Sequence, residues 1–177
     1  MSKQMQASCK EVVLDKVLKK PTTFMKLVSE CQCATETVEK YLSAYIEKNS
    51  IKQKKGKFRV LYSPKLDEKI VEFYELLLNP TTKAIMLVLL KSNLALSQIE
   101  LVATIEKSNP SISRGLKVLL EKRWIKRNYH APFSTYQISN KTKLFEMLEK
   151  TYPKIATNFE QFDLCYPKPK IFLDVYQ

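Results

Sequence analysis

The sequence predicts a mainly α chain with small β-hairpins, an α+β fold made of two similar halves. Three observations predict it: apolar residues recur at helical spacing, short β-rich runs flank two turn clusters, and one long stretch of the chain repeats. Sliding the 177 residues by 74 positions lays TFMKLVSECQCATETVEKYLSAYIEKNSIKQ (23–53) over SQIELVATIEKSNPSISRGLKVLLEKRWIKR (97–127) without a gap. Seven of these 31 positions are identical. The apolar ones correspond as well: Met25 with Ile99, Leu27 with Leu101, Val28 with Val102, Val38 with Ile112, Leu42 with Leu116, Tyr45 with Leu119, Ile46 with Leu120 and Ile51 with Ile125. Shared apolar spacing implies one fold used twice.

In the first copy a helix is expected from about Ser8 to Lys19, a second from Thr23, and a third from about Thr35 to Lys48. A hairpin follows, with strands Ile51–Gln53 and Phe58–Tyr62 around the turn Lys54-Lys55-Gly56-Lys57, where Gly56 is expected at a positive φ. Residues 66–78 place Leu66, Ile70, Phe73 and Leu77 at helical spacing and are read as a linker helix. In the second copy Asn79-Pro80 caps a helix to about Lys91, with proline at the first helical position. Ser97 and Glu100 form a capping box that starts QIELVATI. Asn109-Pro110 starts a third helix through about Lys122, with Ile112, Leu116, Leu119 and Leu120 on one face. Trp124–Tyr129 and Thr135–Ser139 read as strands around His130-Ala131-Pro132-Phe133-Ser134. Lys141–Thr151 reads as a further amphipathic helix. Three helices and a hairpin, in that order, describe a winged helix-turn-helix. The predicted organisation is a first domain over 1–65, a linker helix over 66–79, a second domain over 80–151 and a helical-to-extended tail over 152–177.

Composition excludes much chemistry. Gly56 and Gly115 are the two glycines, too few and too far apart for a dinucleotide fingerprint or a Walker A loop. With His130 as the single histidine, histidine triads and multi-histidine zinc sites have no material. No catalytic constellation, metal site or cofactor is expected, and the chain is not read as an enzyme. Cys9, Cys31, Cys33 and Cys165 lack paired CxxC spacing, and AIMLVLL (84–90) is too short to span a bilayer. The expectation is a reduced, soluble, cytoplasmic protein.

Charge points to the partner. The net charge is +12, and by segment it is +8 over residues 1–65, −3 over 66–79, +7 over 80–151 and zero over the tail. Each hairpin concentrates it: Lys52, Lys54, Lys55, Lys57 and Arg59 in the first, Lys122, Arg123, Lys126 and Arg127 in the second, with no acid in either run. Strand alternation would turn apolar side chains inward and these cations outward, where they would neutralise phosphates of double-stranded DNA, with His130 at the second tip. Base reading would fall to the third helices. The second offers Asn109, Ser111, Ser113, Arg114 and Lys117, of which Arg114 can pair two donors with guanine O6 and N7. The first offers Thr35, Thr37, Lys40 and Ser43, but adds Glu36 and Glu39, which oppose phosphate. The second domain is therefore the expected base reader.

The segment SQIELVATIEKSNPSISRGLKVLLEKRWIKR resembles the winged helix-turn-helix regulators of the MarR and ArsR type, through its capped second helix, the S-x-S-R-x-L-x-x-L run and the Trp124-Ile125 entry to a strand. The likeness covers about 97–139 well and 23–62 more weakly. Tandem copies in a short Lys-rich chain also resemble archaeal regulators. The resemblance implies double-stranded DNA binding as a homodimer and transcriptional control; the expected location is cytoplasmic and nucleoid-associated. For the dimer surface the candidates are Phe159, Phe162, Tyr166, Phe172 and Tyr176 of the tail, together with Ile70, Phe73 and Leu77; either set could instead pack against its own domains. Metal-sensing ArsR-type members carry a Cys-x-Cys, which Cys31-Gln32-Cys33 resembles; Cys31, however, takes the place of the apolar Ile105. The alternative function is a protein-interaction or assembly module, as tandem winged helices are in the small subunit of the ESCRT-II complex.

Overall fold

A computed structural model of the chain describes residues 8–92 and 94–152. It is mainly α-helical with small antiparallel sheets and divides between Leu78 and Asn79 into two compact units. Among the described residues no single helix is long and apolar enough to cross a membrane. The tail candidates Phe159, Phe162, Tyr166, Phe172 and Tyr176 lie outside the described residues.

The first unit opens with α1 (Cys9–Lys19), started by a capping box in which Ser8 and Glu11 each accept from the other's backbone N–H. A two-residue strand β1 (Thr22–Thr23) leads into α2 (Phe24–Cys31), capped by the Thr23 hydroxyl. Then come α3 (Thr35–Glu47), β2 (Lys52–Lys54) and β3 (Val60–Tyr62). The strands pair in the order β1-β3-β2. Val13, Val17, Leu27, Val38, Leu42, Ile51 and Leu61 bury the core among these elements.

The second unit repeats the order. It comprises α5 (Pro80–Lys91), β4 (Leu96–Ser97), α6 (Gln98–Ile105), α7 (Asn109–Glu121), β5 (Ile125–His130) and β6 (Phe133–Ile138), with the sheet order β4-β6-β5. An added helix, α8 (Lys141–Thr151), follows, and the Lys83 ammonium lies over the ring of Tyr152 just beyond it. The backbone repeats in detail too. Gln32 and Glu106 end α2 and α6 in the left-handed region, and Asn49 and Arg123 adopt it after α3 and α7. Both pairs are 74 residues apart, the offset of the sequence repeat.

Several expectations need correction. The segment over 66–79 is no mere linker: α4 (Glu68–Leu77), capped by Asp67, belongs to the first unit and packs on β3. Its Ile70, Phe73 and Leu77 are buried within the chain, so they offer no dimer surface. Gly56 does not adopt a positive φ. Five residues separate β2 from β3, and a loop of that length reverses the chain without a tight turn. What Gly56 supplies is room, since a Cβ there would stand 3.0 Å from Glu75 Oε1. The N-cap of α7 is Ser108 rather than Asn109, and its side chain makes no cap hydrogen bond. The second hairpin closes more tightly than expected, with only Ala131 and Pro132 between its strands, joined by a cis peptide bond. Finally, the thiols are not all reduced: Cys9 and Cys33 form a disulfide.

The third strands β1 and β4 have no sequence signature, because two residues carry no alternation and exist as strands only through pairing with β3 and β6. Thr22 in β1 sits where the repeat has Leu96 in β4. Its hydroxyl is buried without a hydrogen-bond partner. An unsatisfied buried hydroxyl costs about 1–3 kcal/mol. The isosteric change Thr22→Val is therefore expected to stabilise the first unit by about 1 kcal/mol in urea denaturation; destabilisation would show that the hydroxyl has a partner.

Candidate nucleic-acid interface

In α7, burial of Ile112, Gly115, Leu116 and Leu119 fixes which side faces inward. The helix lies close to α5, since a Cβ on Gly115 would come within 2.7 Å of Ile85 Cδ1. Its opposite side carries Asn109, Ser113, Arg114 and Lys117, all exposed. Two of the expected readers are engaged locally. The Asn109 side chain accepts from Gln98 Nε2, and the Ser111 hydroxyl lies 2.9 Å from that of Ser108. Arg114 uses one of its five N–H donors on the Pro110 carbonyl, 3.3 Å away. Ser113, Arg114 and Lys117 thus form the stripe that a docked ligand meets, together with Val118, an exposed apolar residue that sequence reasoning passed over.

The second hairpin presents its cations openly. Arg123, in the turn before β5, and Lys126 and Arg127 on β5 are exposed, and Arg127 Nε donates to the Ser134 hydroxyl at 2.9 Å across the strands. His130 falls at the end of β5, paired in register with Phe133. No acidic residue occurs from 122 to 145. Sequence reasoning also missed the tip aromatics Tyr129 and Phe133, both exposed; their signal was an aromatic at each end of a turn cluster.

The first unit differs in the feature expected to be shared. There the strand face that alternation would leave to solvent is covered by α4, and all three residues of β3 are buried. Lys54 consequently turns to Glu75 on α4, 2.9 Å away. The hydrogen bond to that carboxylate raises its pKa, so Lys54 stays charged but committed. Arg59 reaches the other way. It donates to both carboxylate oxygens of Glu39 at 2.8 Å and to Gln53 at 3.0 Å, and its guanidinium lies 5.1 Å from the centre of the Phe24 ring. Such half-exposed pairs contribute at most about 1 kcal/mol each, yet a phosphate would have to displace them. Lys52, Lys55 and Lys57 remain exposed. On α3, Thr35, Lys40 and Ser43 are exposed and Thr37 is half-buried, beside exposed Glu36. Between α3 and the hairpin lies an open groove of about 550 Å³ lined in part by Glu39 and Glu47. Lys55 and Arg59 line it as well, so its wall carries two carboxylates and two cations.

No protein-family model matches the chain, and no curated protein matches it. Among solved structures it is similar to the DIP2311 protein from Corynebacterium diphtheriae, at 14% identity and a TM-score of 0.30. That match covers 73% of this chain and 26% of the other, so the chain spans about a quarter of that protein's length.

The Cys31-Gln32-Cys33 sequence does not form a chelating pair. Cys33 is bonded to Cys9, and Cys31 is buried in the core. Burial pushes the Cys31 thiol above its ordinary pKa, against the opposing pull of Lys16. A thiol so placed behaves as a small hydrophobe rather than as a nucleophile or ligand.

Proposed function

We propose that each unit is a winged helix-turn-helix and that the chain binds double-stranded DNA through the second unit, as a cytoplasmic, nucleoid-associated transcriptional regulator. The observation that carries this reading is the presence, in one unit, of the exposed stripe Ser113, Arg114 and Lys117 and of a hairpin that, with the turn leading into it, exposes Arg123, Lys126 and Arg127. In this reading α7 enters the major groove by its N-terminal half, and the hairpin cations sit at the phosphates.

Arg114 is the residue expected to discriminate. A guanidinium pairs with guanine O6 and N7 through two parallel donors, and each such pair contributes about 1–3 kcal/mol of discrimination. Arg114→Ala is expected to remove that preference at one base pair of a selected site, and Arg114→Lys to fail to restore it, because an ammonium lacks the planar fork. Competition among single-base variants of the site measures this; an unchanged preference profile would remove Arg114 from the reading. The overall proposal is tested by salt-titrated binding to a mixed-sequence duplex, and absence of binding at about 50 mM salt would discard it.

A second reading applies to the first unit. Its third helix exposes Glu36, and its hairpin cations Lys54 and Arg59 are engaged by Glu75 and Glu39. These observations favour a protein-interaction role for that unit, beside DNA binding by the second.

A further inference from the structure

We infer that the tip of the second hairpin is an aromatic wedge that opens a base step of duplex DNA from the minor groove, an inference that rests on the DNA-binding reading above. Register pairs Tyr129 with Ser134 and His130 with Phe133, across a connection of two residues. Alternation from buried Ile125 places Arg127 and Tyr129 on the face shared with buried Tyr136 and Ile138. Phe133 lies on the opposite face, with Lys126. Tyr129 is 67% exposed and Phe133 60%. Each face of the tip thus carries an aromatic ring away from the core.

Charge decides what covers these rings. The hairpin and its approach carry Lys122, Arg123, Lys126 and Arg127, and no acid occurs from 122 to 145. A polyanion satisfies both features at once: its phosphates meet the cations while its base stack takes the rings. The spacing agrees. Two residues of strand separate Tyr129 from Arg127, about 7 Å, and the level of Phe133 is about 10 Å beyond Arg127. The minor groove is about 7.5 Å deep. With Arg127 at the phosphate rim, Tyr129 reaches the groove floor and Phe133 stands at the level of the bases.

Thickness supplies the consequence. A ribbon with side chains on both faces is about 10 Å thick, whereas the minor groove is about 6 Å wide. Entry therefore requires the groove to widen, which happens when a base step unstacks and the duplex bends toward the major groove. Pyrimidine–purine steps such as TA yield most readily, so the tip would select sequence by deformability without hydrogen-bonding a base. The first hairpin lacks this device, since its loop is Lys55-Gly56-Lys57-Phe58-Arg59 and its one aromatic is half-buried.

The test uses the full chain and a short duplex of alternating TA steps in which 2-aminopurine replaces one adenine. Its emission rises when the base unstacks, while the anisotropy of an end label reports binding separately. Wild-type protein is expected to raise the emission about threefold at saturation. In Tyr129→Ser/Phe133→Ser, two changes at exposed positions, the rise should vanish while affinity falls no more than about tenfold, because the cost of unstacking the step offsets most of the stacking that the rings supply. Binding without a rise in the wild type, or the same rise with the double variant, would overturn the wedge and leave the DNA reading standing. Failure of the wild type to bind any duplex would overturn both. Loss of all binding in the double variant alone would also overturn the wedge, by making the rings the principal anchor.

Discussion

Replacing Arg123, Lys126 and Arg127 together with alanine is expected to weaken binding to every duplex by about two orders of magnitude near 0.1 M salt. Each phosphate contact releases condensed counterions and adds about 0.9 to the slope of log affinity against log salt. Three lost contacts should therefore flatten that slope by about 2.7. Sequence preference should be retained, because phosphate contacts position the protein without reading bases. The control is the triple replacement of Lys52, Lys55 and Lys57 in the first unit, expected to cost less than about tenfold. The difference follows from the surroundings. In the first hairpin the other two cations, Lys54 and Arg59, are already paired with Glu75 and Glu39, whereas among the described residues Arg123, Lys126 and Arg127 form no ion pair. Fluorescence anisotropy between 50 and 200 mM salt separates the outcomes on the scale where such contacts are felt, roughly one Debye length. An unchanged slope in the Arg123, Lys126 and Arg127 variant would refute the assignment of phosphates to that hairpin.

Reducing the Cys9–Cys33 bond is expected to destabilise the first unit by about 3 kcal/mol. The bond joins the first residue of α1 to the turn between α2 and α3 across 24 residues of sequence. Closing a loop of that size removes chain entropy from the unfolded state worth about 3 kcal/mol at 25 °C. Urea denaturation with and without reductant measures it directly, and Cys9→Ser/Cys33→Ser should match the reduced wild type under both conditions. Cys31 provides an independent readout. Its thiol is buried and its pKa is raised by that burial, so it reacts only when the unit opens. Alkylation of Cys31 should thus accelerate about a hundredfold on reduction, if opening is global. Identical denaturation midpoints in the two conditions would show that the bond does not constrain the unfolded chain.

Much of the fold is legible because its signals are local. Ser8 with Glu11 and Ser97 with Glu100 are capping boxes four residues long, and Asn79-Pro80 starts α5 where the rule for proline says it should. Apolar periodicity assigned the core positions of α3 and α7, including Val38, Leu42, Ile112 and Leu116. The repeat predicted that the two units share an element order, and the two left-handed pairs recur at its offset. Those four positions are themselves invisible in the sequence. Gln32, Asn49, Glu106 and Arg123 take a positive φ without a glycine to mark them, because neighbouring helix and strand ends impose the conformation.

The candidate interface was legible as composition and misjudged as geometry. The run Lys52 to Arg59 carries five cations and no acid, yet two of the five point at carboxylates distant in sequence. Glu75 lies 21 residues beyond Lys54, and Glu39 lies 20 residues before Arg59. No window-based reading reaches that far.

Caps, apolar spacing and composition act through neighbours along the chain, and they suffice for the repeat, the helices and the uneven distribution of charge. Tertiary structure alone decided which cations are available. Placing α4 on β3 brought Glu75 to Lys54, and the fold of the first unit brought Glu39 of α3 within reach of Arg59. It also joined Cys9 to Cys33 and left Tyr129 and Phe133 outside the core. Two copies of one pattern became unequal because a side chain's electrostatic partner is set by what folds against it, and among the described residues only the first copy has an acidic helix packed on its sheet.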